Sequence, residues 1–239
     1  MRLDKFLADV GLGSRKEVKQ LIKKNLVKVN GSLAKDGKIQ VNEKTDVITF
    51  DEEPLVYQRF FYYMLHKPQG VISATEDKRD ETVLDLLADT DFRDDLFPVG
   101  RLDKDTEGLL LLTNDGQLAH QLLSPKKHVD KEYFAKIEGV VTEEDIRCFK
   151  KGFPLSNGEM VKPSQLFIES VDEVKQCSTI RLIIQEGKFH QVKRMFEAVD
   201  KKVTYLKRLR MGSLVLDERL ELGEYRQLTD AELNSLKPE

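Results

Sequence analysis

Residues 100–116 read GRLDKDTEGLLLLTNDG. Asp103, Asp105 and Glu107 alternate, Gly108 follows, and four leucines follow the glycine. The opening half begins like a calcium loop, which takes oxygen ligands at positions 1, 3, 5, 7, 9 and 12 with glycine at 6. Counted from Asp103, the three acids and Gly108 fit, but positions 7 to 10 are leucines and position 12 is Asn114. A leucine run is expected to be buried as a strand, which draws the chain away from an ion, so calcium is rejected. Acids in a polar turn are ordinarily solvated turn formers, and that is the reading for Asp105 and Glu107. Asp103 differs because VGRL precedes it and the buried strand starts soon after. It is therefore read as a carboxylate at the edge of a core.

Working outward, Asn114 or Asp115 is placed to cap a helix over GQLAHQLLS, and FFYYMLHKPQGVIS reads as strand, Lys-Pro turn and strand. Thr82 is expected to cap a short helix over VLDLL. KEYFAKIEG and STIRLIIQEG read as strands, and FHQVKRMFEAV as a helix with Val192, Met195, Phe196 and Val199 facing inward. VTYLKRLRMGSLVL reads as a basic strand. Strands and helices mix without a βαβ rhythm, which predicts an α+β fold.

The first fifty residues form a unit of their own. Leu3, Phe6, Leu7 and Val10 stand at helical spacing until GLG breaks them. Ser14 followed by Glu17 is a capping-box pattern. The helix it opens buries Val18, Leu21 and Ile22 and exposes Arg15, Lys16, Lys19, Lys23 and Lys24. Asn25 suits a left-handed cap, Asn30-Gly31 a hairpin turn, and DVITF a closing strand. Residues 52–59, EEPLVYQR, read as a linker.

Net charge is only −3, so the total does not announce a nucleic-acid partner. The distribution does. Residues 1–30 hold eight bases against three acids, residues 76–95 nine acids against three bases, and residues 188–210 eight bases against two acids. Two basic segments flanking an acidic one suit phosphate contact. Lys207 and Arg208, in the strand KKVTYLKRLR, are expected to grip phosphates together with Arg15, Lys16, Lys19 and Lys23. Two cysteines, Cys148 and Cys177, with no paired motif around them, exclude a disulfide scaffold or a Cys-rich zinc site. The four histidines lack ligand spacing, no metal is expected, and no apolar run approaches membrane-spanning length. A cytoplasmic protein with no membrane contact is expected.

RLDKFLADVGLGSRKEVKQLIKKNLVKVNG resembles the S4 RNA-binding module, with Asn25 where glycine is usual. GRLDKDTEGLLLLTNDG resembles the signature of the RNA pseudouridine synthases, in the form of the RsuA branch. HKPQGVIS, SPKKHVDKEY, EGKFHQVKRMF and RMGSLVLDERLELGEYRQLT follow in that family's order. The resemblance implies an S4 domain at 1–51, a linker at 52–59, and a catalytic domain at 60–239 built on a mixed, mainly antiparallel sheet. It implies isomerisation of uridine to pseudouridine in ribosomal RNA, without cofactor, by a monomer. The 16S RNA is the expected substrate, free or in a small-subunit assembly intermediate. A 23S enzyme and a non-catalytic S4-type assembly factor are the alternatives.

The resemblance further implies that Asp103 acts at the ribose, either attacking C1′ or removing the C2′ proton. Lys193 would pair with it, where most branches carry arginine. Tyr133 would pack against the target base. Arg101 would fill the gap left by the extruded base, the alternative being a salt bridge to the acids after it. His190 and Arg194 would contact RNA beside Lys193.

Overall fold

In the computed structural model, which describes residues 1–236, the helical spacing of Leu3, Phe6 and Leu7 becomes α1 (Leu3–Asp9) with all three buried. The chain divides into two units, Met1–Phe60 and the remainder from Phe61. In the first, Ser14 and Glu17 form the capping box that opens α2 (Arg15–Lys23). Asn25 takes a left-handed backbone (φ 58°) after it. β1 (Val27–Val29) and β2 (Ser32–Leu33) turn at Asn30 and Gly31, both at positive φ as a tight hairpin requires. β3 (Ile48–Phe50) pairs with β1.

The expected linker at 52–59 is partly structure. β4 (Glu53–Pro54) adds to β3, and the Leu55 N–H donates to the Ile48 carbonyl at 2.8 Å. Tyr57 stacks on Phe6 at 5.2 Å between centroids and donates its hydroxyl to Asp9 at 3.0 Å. Its polar flanks hid two apolar side chains, Leu55 and Tyr57, that pack on the first unit's core. Pro54 fits because an edge strand does not need its missing N–H.

The second unit is a nine-stranded sheet with helices around it. It is built from β5 (Tyr62–Lys67), β6 (Phe97–Pro98), β7 (Glu107–Thr113), α3 (Gly116–Leu123), β8 (Lys131–Glu138) and α4 (Glu143–Lys151). Then come β9 (Gln165–Asp172), β10 (Cys177–Ile184), α5 (Gln191–Glu197), β11 (Lys202–Met211), β12 (Leu214–Val215), β13 (Tyr225–Gln227) and α6 (Asp230–Leu236). The strand order is β13-β5-β7-β11-β8-β10-β9, with β6 beside β7 and β12 beside β11. Pairing is antiparallel except between β7 and β11, whose parallel register joins Glu107 to Lys207 and Gly108 to Arg208. The fold is α+β, and two antiparallel half-sheets meet at one short parallel seam.

The leucine run makes that seam possible. Side chains alternate across a strand, so Leu109 and Leu111 enter a core with Leu118, Leu122 and Met211. Leu110 and Leu112 enter another with Leu182 and Phe196. All four are fully buried, and each contributes roughly 2 kcal/mol by leaving water. Gly108 is demanded here twice over. Its φ is +109°, and a Cβ would collide with the Arg208 backbone.

Two expectations between β5 and β7 fail. The strand after Lys67-Pro68 reduces to one bridge, Ile72 to Thr82. VLDLL forms turns, not a helix. Thr82 does make a capping contact, donating its N–H and hydroxyl to Asp85 at 2.7 and 2.8 Å. Val83, Leu84 and Leu87 are drawn into the core at close sequence intervals, and no helical turn propagates.

Candidate active site

The turn entering β7 brings Asp103 to the seam between the half-sheets. A backbone bond from Thr106 N–H to the Asp103 carbonyl (3.0 Å) closes the turn. Two buried side chains brace it. Ser73 Oγ accepts from Leu102 N–H at 3.1 Å and donates to the Leu102 carbonyl at 2.9 Å. Lys67, wholly buried at the end of β5, donates Nζ to the carbonyls of Pro68 (2.9 Å), Asp103 (3.1 Å), Lys104 (3.4 Å) and Thr106 (2.9 Å). Burial pulls the Lys67 ammonium down to about 8, against the pull of Asp105, Asp103 and Glu107. The carbonyl cage favours the charged form, which carries three donors.

One pocket is lined by Arg101, Asp103, Thr106, Tyr133, His190 and Lys193, among others. Tyr133 arrives on β8 and is 8% exposed. Lys193 arrives on α5, whose Val192, Met195 and Phe196 are buried as their spacing predicts. Its ammonium lies 3.2 Å from Asp103 and 2.6 Å from Asp105. Burial alone would lower the Lys193 ammonium, but the bonds and charges of Asp105 and Asp103 outweigh it and hold the group above its ordinary range. His190 Nε2 stands 3.5 Å from Asp103. Neither Arg101, which is exposed, nor Tyr133 has a side-chain partner among the described residues. The local salt bridge considered for Arg101 is therefore not formed.

Asp105 and Glu107 are more than solvated turn formers. Asp105 competes for Lys193. Burial would raise the Asp105 carboxyl, but the Lys193 hydrogen bond and charge lower it below the ordinary range. Glu107 is the first residue of β7 and accepts from the Tyr205 hydroxyl at 2.5 Å. Asp115, not Asn114, caps α3, accepting from Gln117 and Leu118 N–H.

The expected RNA contacts separate into two groups. Arg15, Lys16, Lys19 and Lys23 lie exposed on α2 without an ion pair among the described residues. Lys207 is half-buried on β11. Arg208 cannot serve as a surface phosphate contact, because it is 3% exposed and donates Nε to the Leu109 carbonyl at 2.8 Å. Register shifts between β11 and β8 at Val203/Tyr205 and Arg208/Arg210 break the alternation that predicted a uniformly basic edge. Arg194 is committed to Glu159 at 2.9 Å and to the Phe189 carbonyl at 3.2 Å.

The RNA pseudouridylate synthase family model matches residues 61–198, more than half the chain, and the S4 domain model matches residues 1–48. The chain belongs to the RNA pseudouridylate synthase family. Among relatives of this synthase, an uncharacterized RNA pseudouridine synthase of Bacillus subtilis is 52% identical, covering 99% of this chain and 98% of its own. A protein named ribosomal small subunit pseudouridine synthase A, from Haemophilus influenzae, is 40% identical, covering 99% of both chains. One named ribosomal large subunit pseudouridine synthase B, from Bacillus subtilis, is also 40% identical, covering 99% of this chain and 95% of its own. A solved pseudouridylate synthase superposes with a TM-score of 0.67 at 38% identity, covering 99% of this chain and 100% of that one.

Sequence reading missed Lys67 and Ser73. Lys67 stands inside the quoted HKPQG motif, but a lysine at a strand end reads as exposed. Only the turn it holds, more than thirty residues away, reveals its role. Among the described residues no helix is long and apolar enough to cross a membrane.

Proposed function

We propose that this synthase isomerises a uridine of ribosomal RNA, with 16S RNA as its substrate. The observation that carries the reading is the Asp103–Lys193 pair, 3.2 Å apart in one pocket with Tyr133 and an unpaired Arg101. Isomerisation breaks the bond from ribose C1′ to base N1 and makes one from C1′ to C5. The C5 proton leaves and N1 gains one, so no redox partner or group donor is consumed.

Asp103 supplies the carboxylate at the ribose, by attack at C1′ or by proton removal at C2′. Lys193 holds that carboxylate in place as a point charge 3.2 Å away. Tyr133 offers its ring to the extracted uracil. A stacked uridine hides C1′ and cannot rotate, so the base must leave the helix at a cost of a few kcal/mol. Arg101, exposed and uncommitted, fills the vacated position. The basic face of α2 binds phosphates without regard to sequence. The enzyme acts in the cytoplasm as a monomer.

The 16S assignment rests on the small-subunit name recurring among relatives at about 40% identity in several bacteria. The large-subunit relative at 40% is the competing indication. Pseudouridine mapping of 16S and 23S RNA from a deletion strain tests it. Loss at one 16S uridine, restored by the wild-type chain, is expected. Loss confined to 23S RNA would move the substrate to the large subunit, and no loss in either would overturn the reading.

A further inference from the structure

One conspicuous feature of the pocket rim has no part in the chemistry above. Phe189 stands two residues before the start of α5 and is 75% exposed. Its ring stacks on that of His190, with centroids 3.8 Å apart and planes 18° from parallel. His190 lines the catalytic pocket and reaches within 3.5 Å of Asp103. The aromatic pair therefore runs from the catalytic carboxylate out to solvent.

Isolated apolar side chains on a surface are ordinary. Phe189 is distinguished by its bracing. Its carbonyl accepts from Arg194 at 3.2 Å, and Arg194 is itself held by Glu159 at 2.9 Å. The Lys188 N–H donates to the Gln191 side chain at 2.9 Å, and the Gln191 N–H returns a bond to the Lys188 carbonyl at 3.1 Å. His190 adopts a left-handed backbone (φ 47°), uncommon for a residue with a Cβ. Such strain persists where the surroundings enforce it, and it gathers at ligand sites. A flat ring is thus held open to water on a fixed segment beside the reacting carboxylate.

We propose that Phe189, backed by His190, is a stacking platform for an RNA base flanking the target uridine. The inference rests on the synthase reading. Extruding one nucleotide deprives its neighbours of a stacking face, and an aromatic ring restores one without regard to base identity. The planar face suits a base, and His190 behind it lines the pocket that receives the target uridine. The platform acts on substrate binding, not on the bond-changing step.

The test has two arms. In the first, unmodified 16S and 23S transcripts labelled with tritium at uridine C5 are converted by wild type, Phe189→Ala, Phe189→Leu and Phe189→Tyr. Formation of the C1′–C5 bond expels the label. Phe189→Ala should raise KM by about five- to 150-fold, the range for removal of one base stack, with kcat and melting temperature unchanged. Phe189→Tyr should restore KM, and Phe189→Leu, apolar but not planar, should not.

In the second arm, the absence of tryptophan from the chain lets Phe189→Trp be excited selectively, apart from the tyrosines. The same transcripts should quench it more strongly than they quench Val174→Trp, a control in the turn between β9 and β10 that is 95% exposed. Unchanged KM in Phe189→Ala, rescue by Phe189→Leu, a fall in kcat alone, or equal quenching at both positions would overturn the platform. If wild type releases no tritium, the synthase reading itself fails, and the fluorescence arm still decides the platform.

Discussion

Lys193 is shared between two carboxylates, and its removal has a calculable consequence. At 3.2 Å from Asp103, the Coulomb attraction is about 5 kcal/mol at an effective dielectric of about 20. The Lys193 and Asp103 side chains are 21% and 27% exposed, so water and desolvation take back much of this. A hydrogen bond between charged groups nets about 1.5–3 kcal/mol. Lys193→Met should therefore lower kcat/KM by about 10- to 150-fold. Tritium release from C5-labelled ribosomal RNA transcripts measures the loss. Asp105→Asn is the companion variant. It releases Lys193 from its 2.6 Å partner and should retain the wild-type rate. The reasoning is refuted if Lys193→Met keeps the wild-type rate, or if Asp105→Asn loses as much as Lys193→Met.

Lys67→Met removes the donor shared by four carbonyls around the Asp103 turn, and a 1 Å displacement there costs about 100-fold in rate. Lys67 titrates at about 8 when folded against 10.5 when free, so between those values the unfolded chain binds more protons and this group makes stability rise with pH. Melting curves from pH 8 to 10 should rise less steeply for Lys67→Met than for wild type. Replacing Arg15, Lys16, Lys19 and Lys23 with glutamine should weaken RNA binding. The slope of log affinity against log salt should become shallower by about 0.7–0.9 for each phosphate that α2 no longer neutralises. An unchanged slope in filter binding would remove α2 from the RNA interface.

Local chemistry was legible where short-range rules govern. The Ser14 capping box, the left-handed Asn25, the Asn30-Gly31 turn and the buried strand Leu109–Leu112 follow from side chains a few residues apart. The calcium reading failed on the same ground, since those leucines are packed into two cores. What stayed hidden depends on partners distant in sequence. Arg208 looked like a phosphate contact until the β7–β11 seam buried it against Leu109. Lys67 read only as part of a Lys-Pro turn until the Asp103 turn closed over it. Asp105 looked idle until α5 delivered Lys193 beside it, 88 residues further on. The resemblance carried Asp103, Tyr133 and Lys193 to one family site, and all three line one pocket. It carried no information on which carboxylate Lys193 approaches more closely.

The central claim is that, of the three alternating acids, Asp103 alone performs the chemistry. Pseudouridine formation by Asp103→Asn, on 16S and 23S transcripts that wild type converts, tests this most directly. Asparagine keeps the size and removes the charge. No detectable pseudouridine, with RNA affinity and melting temperature retained, is the predicted result. Product at the wild-type rate would contradict the account.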